Sequence, residues 1–191
     1  ATRLYHACQQ IVCNFGYFSG ELEKRSVCHD LVDLTIEQTE CLNVSKSKLI
    51  IWTTYKMTSR GVLKYLKDKG YYVVGAYSEV DSSKNLELFM EDPKCRIGVF
   101  QYQSAGAGLN PQFVCSESLH LELPTSPMLM TQSTGRLSRM GQTIAPTMRI
   151  AIAKGTIQEA SLERLIHADD LIAKVEMTKE TLRSALLGKP L

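Results

Sequence analysis

The sequence lacks the long apolar run of a membrane-spanning helix and the paired cysteines of a structural zinc site. Such a helix needs about 20 successive, mostly apolar residues, and these 191 residues contain no stretch of that kind. The six cysteines are scattered and form no Cys-x-x-Cys pair, whereas zinc ligands normally stand at short, repeated spacings. We therefore expect free thiols, no metal site and no membrane partner.

The chain also lacks a strong net charge and a secretory signal. Its 22 basic and 20 acidic residues leave a net charge of +2, so any binding of nucleic acid must depend on locally placed charge rather than on the overall field. The first residues do not form a basic segment followed by a short apolar core. These absences indicate a cytoplasmic protein.

Behind two helical segments, the sequence alternates strand and helix patterns. Residues 3–18 predict a first helix and residues 21–42 a second, in which an apolar stripe is formed by Leu22, Val27, Leu31 and Leu34. Strands are predicted at 49–52, 71–76, 96–101, 119–123 and 148–152, and helices at 57–68, 83–91 and 156–176. Strands that alternate with helices predict a mostly parallel sheet covered on both faces.

In two of these segments, the sequence predicts which individual side chains are buried. The helix at 57–68 is predicted to turn three residues inward, namely Val62, Leu63 and Leu66. In the fourth strand, leucines at 119, 121 and 123 alternate with His120 and Glu122, a period of two that is typical of a strand. His120 is predicted to be a surface or half-buried residue.

The most specific motif is Gln-Ser-Thr-Gly-Arg-Leu-Ser-Arg-Met-Gly-Gln at residues 132–142. Gln132, Arg136 and Arg139 stand at i, i+4 and i+7, which predicts a single row on a helix. Two guanidinium groups beside an amide offer fixed planar donors to a phosphate, and Gly135 keeps that helix face open. The alternative is that both arginines pair with acidic residues of a neighbouring element.

A second motif extends from Gln101 to Asn110 and contains Gly106-Ala107-Gly108. It follows the apolar run 97–100, which predicts a buried strand. Small residues after such a strand allow the backbone to approach a ligand phosphate closely. A dinucleotide-binding turn needs a third glycine, and Pro111 stands in that place, so the nicotinamide-cofactor interpretation is disfavoured.

The order of these two segments resembles motifs V and VI of superfamily-two helicases, in particular the Swi/Snf-like DNA translocases and their phage relatives. Residues 48–55 resemble motif IV, and residues 155–159 resemble the segment after the last strand of such lobes. The resemblance implies a RecA-like three-layer α/β domain with a mostly parallel sheet, preceded by two helices. Residues 1–45 would be the helical lead-in, 46–176 the lobe and 177–191 a tail.

The resemblance covers the second helicase lobe only. The chain has no Gly-x-x-x-x-Gly-Lys-Ser/Thr loop and no Asp-Glu-x-His segment, which belong to the first lobe. Residues 124–128 and Lys84-Asn85 depart from the Swi/Snf pattern, which favours a bacterial or phage helicase and the cytoplasm of a bacterial or phage-infected cell. The isolated chain is expected not to hydrolyse ATP.

For the nucleotide, the resemblance implies ATP with magnesium, held mainly by the absent first lobe. Arg136 and Arg139 would be arginine fingers that stabilise charge during phosphoryl transfer, and Gln132 would orient their network. Three further residues are assigned to nucleotide contacts together with these arginines: Gly106, Gly108 and Asn110.

For nucleic acid, the resemblance implies DNA as the partner, together with the N-terminal RecA-like lobe. Backbone contacts to DNA are assigned to Thr53, Thr54, Tyr55, Ser104 and Ala105. Tyr55 or Tyr102 would stack on a base, with simple packing as the alternative. The other function that stays open is a non-catalytic module, built on the same lobe, that binds nucleic acid or protein.

Overall fold

The computed structural model describes residues 2–18, 27–41, 47–78, 80–104 and 109–168. Two helices come first, α1 (Thr2–Phe18) and α2 (Val27–Cys41). The strands are β1 (Lys48–Thr53), β2 (Val73–Ala76), β3 (Ile97–Gln101), β4 (Cys115–His120) and β5 (Thr147–Ile150). Between them lie α3 (Lys56–Asp68), α4 (Ser82–Glu91), a 3-10 helix (Pro111–Phe113) and α5 (Pro127–Leu137), and residues 157–168 form α6.

All five strands are parallel, in the order β2-β3-β1-β4-β5. Parallel neighbours need crossover connections, and helices provide them on both faces of the sheet. One buried cluster joins α1, α2 and α3 to the first face, and another joins α4 and α5 to the second. The predicted three-layer α/β architecture is confirmed. The carboxyl ends of the strands meet at one edge, which we call the carboxyl edge.

The predicted core of α3 is also confirmed. Val62, Leu63 and Leu66 are all buried, with Leu66 fully enclosed. They pack against Ile51 and Val99 in the centre of the sheet. Burying such side chains stabilises the fold by roughly 1.5–3 kcal/mol each, so α3 is held mainly by its apolar face.

The leading helices pack on the lobe rather than standing apart from it. Gln9 Nε2 donates to Ser161 Oγ of α6 at 2.7 Å, and Tyr5 OH lies 2.9 Å from the same oxygen. Cys13 Sγ donates to Leu121 O at 3.8 Å. The division of the chain at residues 45 and 46 stays a prediction, and residues 169–191 lie outside the described ranges.

The apolar stripe predicted for α2 is confirmed at Leu31, which is half-buried against the core, and wrong at Leu34, while the side chain of Val27 lies outside the described residues. Leu34 is 51% exposed, whereas Val32 and Ile36 are buried together with Cys28. These three stand at i, i+4 and i+8, and their row faces the sheet beside α1 and α3. Leu22 lies outside the described residues.

The bounds of the fourth strand are also wrong. β4 runs from Cys115 to His120, whereas the leucine alternation predicted 119–123. His120 and Glu122 are both 0% exposed, against the surface or half-buried position predicted for His120. The cause is the three-layer fold, because helices cover both faces of a central strand and alternation no longer separates buried from exposed residues. None of the helices within the described ranges is long and apolar enough to cross a membrane.

Candidate nucleotide and nucleic-acid interface

The predicted site residues of motif IV and of the start of motif V lie near the carboxyl edge, whereas Arg139 of motif VI lies near the amino end of β4. Thr53 ends β1 and residues 54–55 follow it, residues 101–104 end and follow β3, and α5 starts seven residues after β4. In open parallel sheets, ligands bind outside the carboxyl ends of the strands. The fold therefore brings motif IV and the start of motif V to the carboxyl edge. Motif VI extends away from that edge, because Gln142 bonds its last turn to Cys115, the first residue of β4.

The predicted row of Gln132, Arg136 and Arg139 on one helix is wrong. α5 ends at Leu137, and Ser138 leaves the helical conformation at φ −93° and ψ 67°. Gln132 and Arg136 are helical, but Gln132 is exposed while Arg136 is only 7% exposed. Arg139 lies in the turn beyond the helix and is exposed. Of the two arginines, Arg139 is therefore the exposed one.

Arg136 ties α5 to the end of motif V. Its Nη1 donates to Leu109 O at 2.9 Å, and the residue that carries this carbonyl is buried. Burial lowers the pKa of the Arg136 guanidinium from its ordinary value, and the charge of Arg139 lowers it further. The two cations are thus close neighbours that repel each other, which favours an anion between them.

Arg139 is the free cation of this pair. Within the described ranges its guanidinium group has no hydrogen bond and no ion pair, and its acidic-pair alternative is not realised there. Its backbone carbonyl accepts from Gln142 N at 3.1 Å, which closes the turn. An exposed, unpaired arginine at the end of a rigid turn is available to a ligand phosphate.

The last two residues of motif VI hold that turn in place. Gly141 has φ +97°, and a Cβ there would lie 2.6 Å from Cε1 of Phe113, so only glycine fits. Gln142 Nε2 donates to Cys115 O at 2.9 Å and to Leu137 O at 3.2 Å. This side chain joins the turn to β4 and to the end of α5.

Motif V is described at its two ends. Ser104 is half-buried, and its N–H donates to Gln101 O at 3.1 Å in the turn after β3. Asn110 is exposed just before the 3-10 helix. Ala105, Gly106 and Gly108 lie outside the described residues, so their assigned contacts stay predictions.

Motif IV does not present its donors as predicted. Thr53 is fully buried, and its hydroxyl lies 2.7 Å from Ser59 Oγ. The backbone N–H groups of Thr54 and Tyr55 donate to Glu122 Oε2 at 2.8 and 2.9 Å. The prediction of a DNA contact through the Thr53 side chain is therefore wrong, because that hydroxyl is enclosed. For Thr54 and Tyr55, the backbone amides are already taken inside the lobe.

Glu122 is the centre of this arrangement. Its carboxylate also accepts from Thr58 Oγ1 at 2.6 Å, so it provides three bonds at the start of α3, where the side chain of Tyr55 provides none. A carboxylate there satisfies orphan N–H groups and faces the positive end of the helix dipole. Burial nevertheless dominates and raises the pKa of Glu122 to about 7.

Tyr102 packs inside the lobe. It is 5% exposed, and its ring stacks on Trp52 at 5.4 Å between centroids. Its hydroxyl donates to Glu122 O at 2.9 Å and lies 2.8 Å from Nδ1 of His120. Base stacking by Tyr102 is therefore wrong, and packing is the correct alternative. Tyr55 is half-buried, with its hydroxyl 2.8 Å from Nδ1 of His6.

Glu122 and His120 give a pH prediction, because both are buried and their pKa values move in opposite directions. The pKa of Glu122 rises to about 7, so its stabilising contribution is complete below its ordinary pKa and is lost as pH rises through 7. The pKa of His120 falls to about 4 through burial, so its contribution is complete above its ordinary pKa and is lost as pH falls through 4. Each effect is about 3 kcal/mol.

Between about pH 4.5 and 6.5 the two slopes should cancel. Denaturant unfolding across this range is expected to show little contribution from the pair in the unsubstituted chain. Glu122→Gln should leave a free energy of unfolding that rises with pH, and His120→Gln one that falls with pH. Identical pH profiles for all three chains would contradict the assignment.

Two structural residues were missed at the sequence level. Glu122 looked like the polar phase of a strand, and only the helix layer over that face reveals that it is buried. Gln142 ends motif VI, but its bonds to Cys115 and Leu137 depend on the turn at Gly141. Among the described residues, the cysteines at 8, 13, 28, 95 and 115 form no disulfide, and no cluster of three or more His, Cys, Asp or Glu side chains has the arrangement of a metal site.

No family model matches the chain. The chain is 23% identical over 183 residues to the SWI/SNF-related matrix-associated actin-dependent regulator of chromatin subfamily A-like protein 1 of Drosophila melanogaster, covering 94% of this chain and 23% of that protein. It is 26% identical over 159 residues to the uncharacterized ATP-dependent helicase YqhH of Bacillus subtilis (strain 168), covering 78% and 28%. It is 25% identical over 171 residues to the DNA repair protein RAD5A of Arabidopsis thaliana, covering 88% and 16%.

A solved structure supports the fold independently. The C-terminal part of the Fun30 ATPase domain superposes with a TM-score of 0.60 at 16% identity, covering 85% of this chain and 53% of that one. The chain spans less than a third of the length of each of the three proteins from Drosophila melanogaster, Bacillus subtilis and Arabidopsis thaliana. The motif order, the all-parallel sheet and these comparisons agree: the chain is similar in sequence to part of SWI/SNF-related and other ATP-dependent helicase proteins, and in fold to the C-terminal part of the Fun30 ATPase domain.

Proposed function

We propose that this chain acts as the second motor lobe of an ATP-dependent nucleic-acid helicase or translocase, with Arg139 as its arginine finger. The observation that carries the proposal is the exposed, unpaired guanidinium group of Arg139, near the amino end of β4, on a turn fixed by Gly141 and Gln142. The names of the relatives, which include an ATP-dependent helicase, support this reaction.

In this mechanism a companion first lobe holds ATP and its magnesium, and this lobe supplies charge across the cleft. Negative charge spreads over the γ-phosphate oxygens during phosphoryl transfer, and a fixed planar cation stabilises it without reorganising. Arg139 suits that role because its turn is anchored on both sides, to Leu137 and to Cys115. Gln132 is exposed on α5 and is proposed to orient the same network.

Arg136 has a second role in the proposal. Its bond to Leu109 O holds motif V against α5, so a movement of the nucleotide would be transmitted to the segment that ends in Asn110. Gly106, Gly108 and Asn110 are proposed to approach the nucleotide, and Ser104 and Ala105 a nucleic-acid phosphate. The names of the chromatin-regulating and DNA-repair relatives support DNA as that nucleic acid.

The roles of Arg136 and Arg139 should be distinguishable by the free energy of unfolding of their variants. Arg136→Ala removes a buried bond and leaves the enclosed carbonyl of Leu109 without this donor, which should lower the free energy of unfolding by about 1–3 kcal/mol. Arg136→Lys should recover part of that loss, because the positive charge and one donor remain. Denaturant unfolding of the isolated chain measures both changes, and an unchanged stability for Arg136→Ala would contradict the anchoring role.

The proposed function is tested by joining this chain to a first RecA-like lobe and measuring ATP hydrolysis with and without duplex DNA. The proposal expects hydrolysis that DNA stimulates and that depends on Arg139. A joined protein that binds ATP and DNA but shows no hydrolysis above that of the first lobe alone would favour the non-catalytic binding module instead.

A further inference from the structure

One helix carries more positive charge than the whole chain. Residues Lys56–Asp68 of α3 include four basic residues and one acidic residue, a net charge of +3, against +2 for all 191 residues. The rest of the chain is therefore slightly acidic. The weak overall charge conceals a strongly cationic element.

The four basic residues of α3 share one face, which we call the basic stripe: Lys56, Arg60, Lys64 and Lys67. They stand at i, i+4, i+8 and i+11, which confines them to an arc of about 80° on a helix that turns about 100° per residue. The buried side chains of α3, centred on Val62 and Leu66, lie on the opposite face. Arg60, Lys64 and Lys67 are exposed, and Lys56 is half-exposed.

Two residues of the basic stripe, Lys64 and Lys67, do not attach α3 to the described part of the lobe. The contact with α2 uses the other flank, where Tyr65 OH and Lys69 Nζ both donate to Asp33 Oδ2 at 2.6 Å. Within the described ranges, the side chains of Lys64 and Lys67 make no hydrogen bond and no ion pair. Their charges are therefore available to a partner outside the lobe.

Like charges at this spacing also destabilise the helix. Cations at i and i+4 repel each other, whereas a solvated helix face usually alternates acidic and basic residues. Lys56–Arg60 and Arg60–Lys64 are both such like-charged pairs. An anionic partner bound along the stripe would weaken this repulsion.

We infer that the basic stripe binds the sugar-phosphate backbone of nucleic acid; this deepens the proposed function and rests on it. α3 starts at the carboxyl edge, three residues after β1, and the stripe runs about 17 Å along the helix to the opposite edge. Its cations are spaced by about 6 Å or less. Duplex DNA carries one charge per roughly 1.7 Å of its axis, so the stripe spans several phosphates on the outer flank of the lobe.

Salt dependence tests this interaction in the 191-residue chain. Fluorescence anisotropy with a labelled duplex, at about 50–200 mM NaCl, gives the slope of log affinity against log salt, which changes by about 0.9 for each phosphate that the protein no longer neutralises. Lys64→Gln with Lys67→Gln should reduce the slope by about 2 and weaken binding about tenfold at the lowest salt. The matched control, Lys94→Gln with Lys154→Gln, removes two exposed lysines from other elements and should change the slope by less than about 0.5.

An unchanged slope in the Lys64 and Lys67 variant, an equal reduction in the control, or an unsubstituted chain that does not bind the duplex would each overturn the inference. Binding to phosphatidylserine vesicles that is as strong, and that the same pair of changes removes, would also overturn it in favour of a general anionic surface.

The joined two-lobe protein separates this inference from the proposed function. Removal of the Lys64 and Lys67 charges should raise the DNA concentration needed for half-maximal hydrolysis and leave maximal turnover unchanged. If Arg139→Ala abolishes turnover while the Lys64 and Lys67 variant binds DNA normally, the motor function is supported and DNA binding by the basic stripe is refuted. If the joined protein shows no hydrolysis but the Lys64 and Lys67 variant binds DNA more weakly than the unsubstituted protein, DNA binding by the basic stripe is supported and the motor function is refuted.

Discussion

Arg139→Ala is expected to reduce DNA-stimulated ATP hydrolysis by about a thousandfold in a protein that joins this lobe to a first lobe. The reason is that this guanidinium group has no structural partner in the described ranges and is exposed on a fixed turn, so its loss removes charge stabilisation from the transition state and little else. ATP affinity should change by no more than a few fold, because an interaction made mainly in the transition state affects turnover. Steady-state kinetics and equilibrium ATP binding measure the two effects.

Two further variants sharpen that experiment. Arg139→Lys keeps a positive charge but loses the planar fork, so most of the loss in turnover should remain. Arg96→Ala removes another exposed arginine, next to the amino end of β3, and should turn over normally. The free energy of unfolding of the isolated lobe should be the same for all three chains. Normal turnover in Arg139→Ala would remove this residue from the mechanism.

Glu122→Ala is expected to cost the isolated lobe about 3–5 kcal/mol of stability. The carboxylate is fully enclosed and accepts from Thr54 N, Tyr55 N and Thr58 Oγ1. Alanine leaves all three donors unpaired at the start of α3, and each buried unpaired donor costs about 1–3 kcal/mol. Because most domains are stable by only about 5–15 kcal/mol, this change should shift the unfolding midpoint strongly.

Glutamine is the informative companion change at this position. Its oxygen can accept from both backbone N–H groups, and its amide can donate to the Thr58 hydroxyl, so the loss should be within about 1 kcal/mol. Glu87→Ala, on the exposed side of α4, serves as a control with no expected effect. Urea unfolding of the four chains gives the comparison. Equal stability of Glu122→Ala and the unsubstituted chain would show that the three bonds contribute nothing to the start of α3.

The layers of the fold followed from the sequence because hydrophobic period and strand-helix alternation are local signals. The burial of Val62, Leu63 and Leu66 and the all-parallel sheet depend on such patterns. The prediction for β4 was wrong because a period of two separates buried from exposed residues only when one face of the sheet is covered. Here helices cover both faces. In α2, Leu34 and Val32 are both apolar, and only the neighbouring helices decide which of them is buried.

The sequence predicted which residues belong to the candidate site, but it did not predict how they are arranged. Motif VI predicted which residues matter, yet the end of α5 at Leu137 separates a buried Arg136 from an exposed Arg139. Helix ends depend on cap and turn contacts, such as those of Gln142, which periodicity does not reveal. The basic stripe of α3, by contrast, is a local spacing of 4, 4 and 3 residues in the sequence, although the small net charge of the chain does not reveal it.

The central claim is that Arg139 reaches across a cleft to a nucleotide held by a companion lobe. A structure of the joined two-lobe protein with duplex DNA, ADP, magnesium and aluminium fluoride tests it most directly, because the fluoride complex imitates the phosphoryl group in transfer. We expect the Arg139 guanidinium group at hydrogen-bond distance, about 3 Å, from the fluoride ligands, and Arg136 still bonded to Leu109 O. A closed complex in which Arg139 remains in solvent, with another cation in contact with the fluoride, would contradict the account.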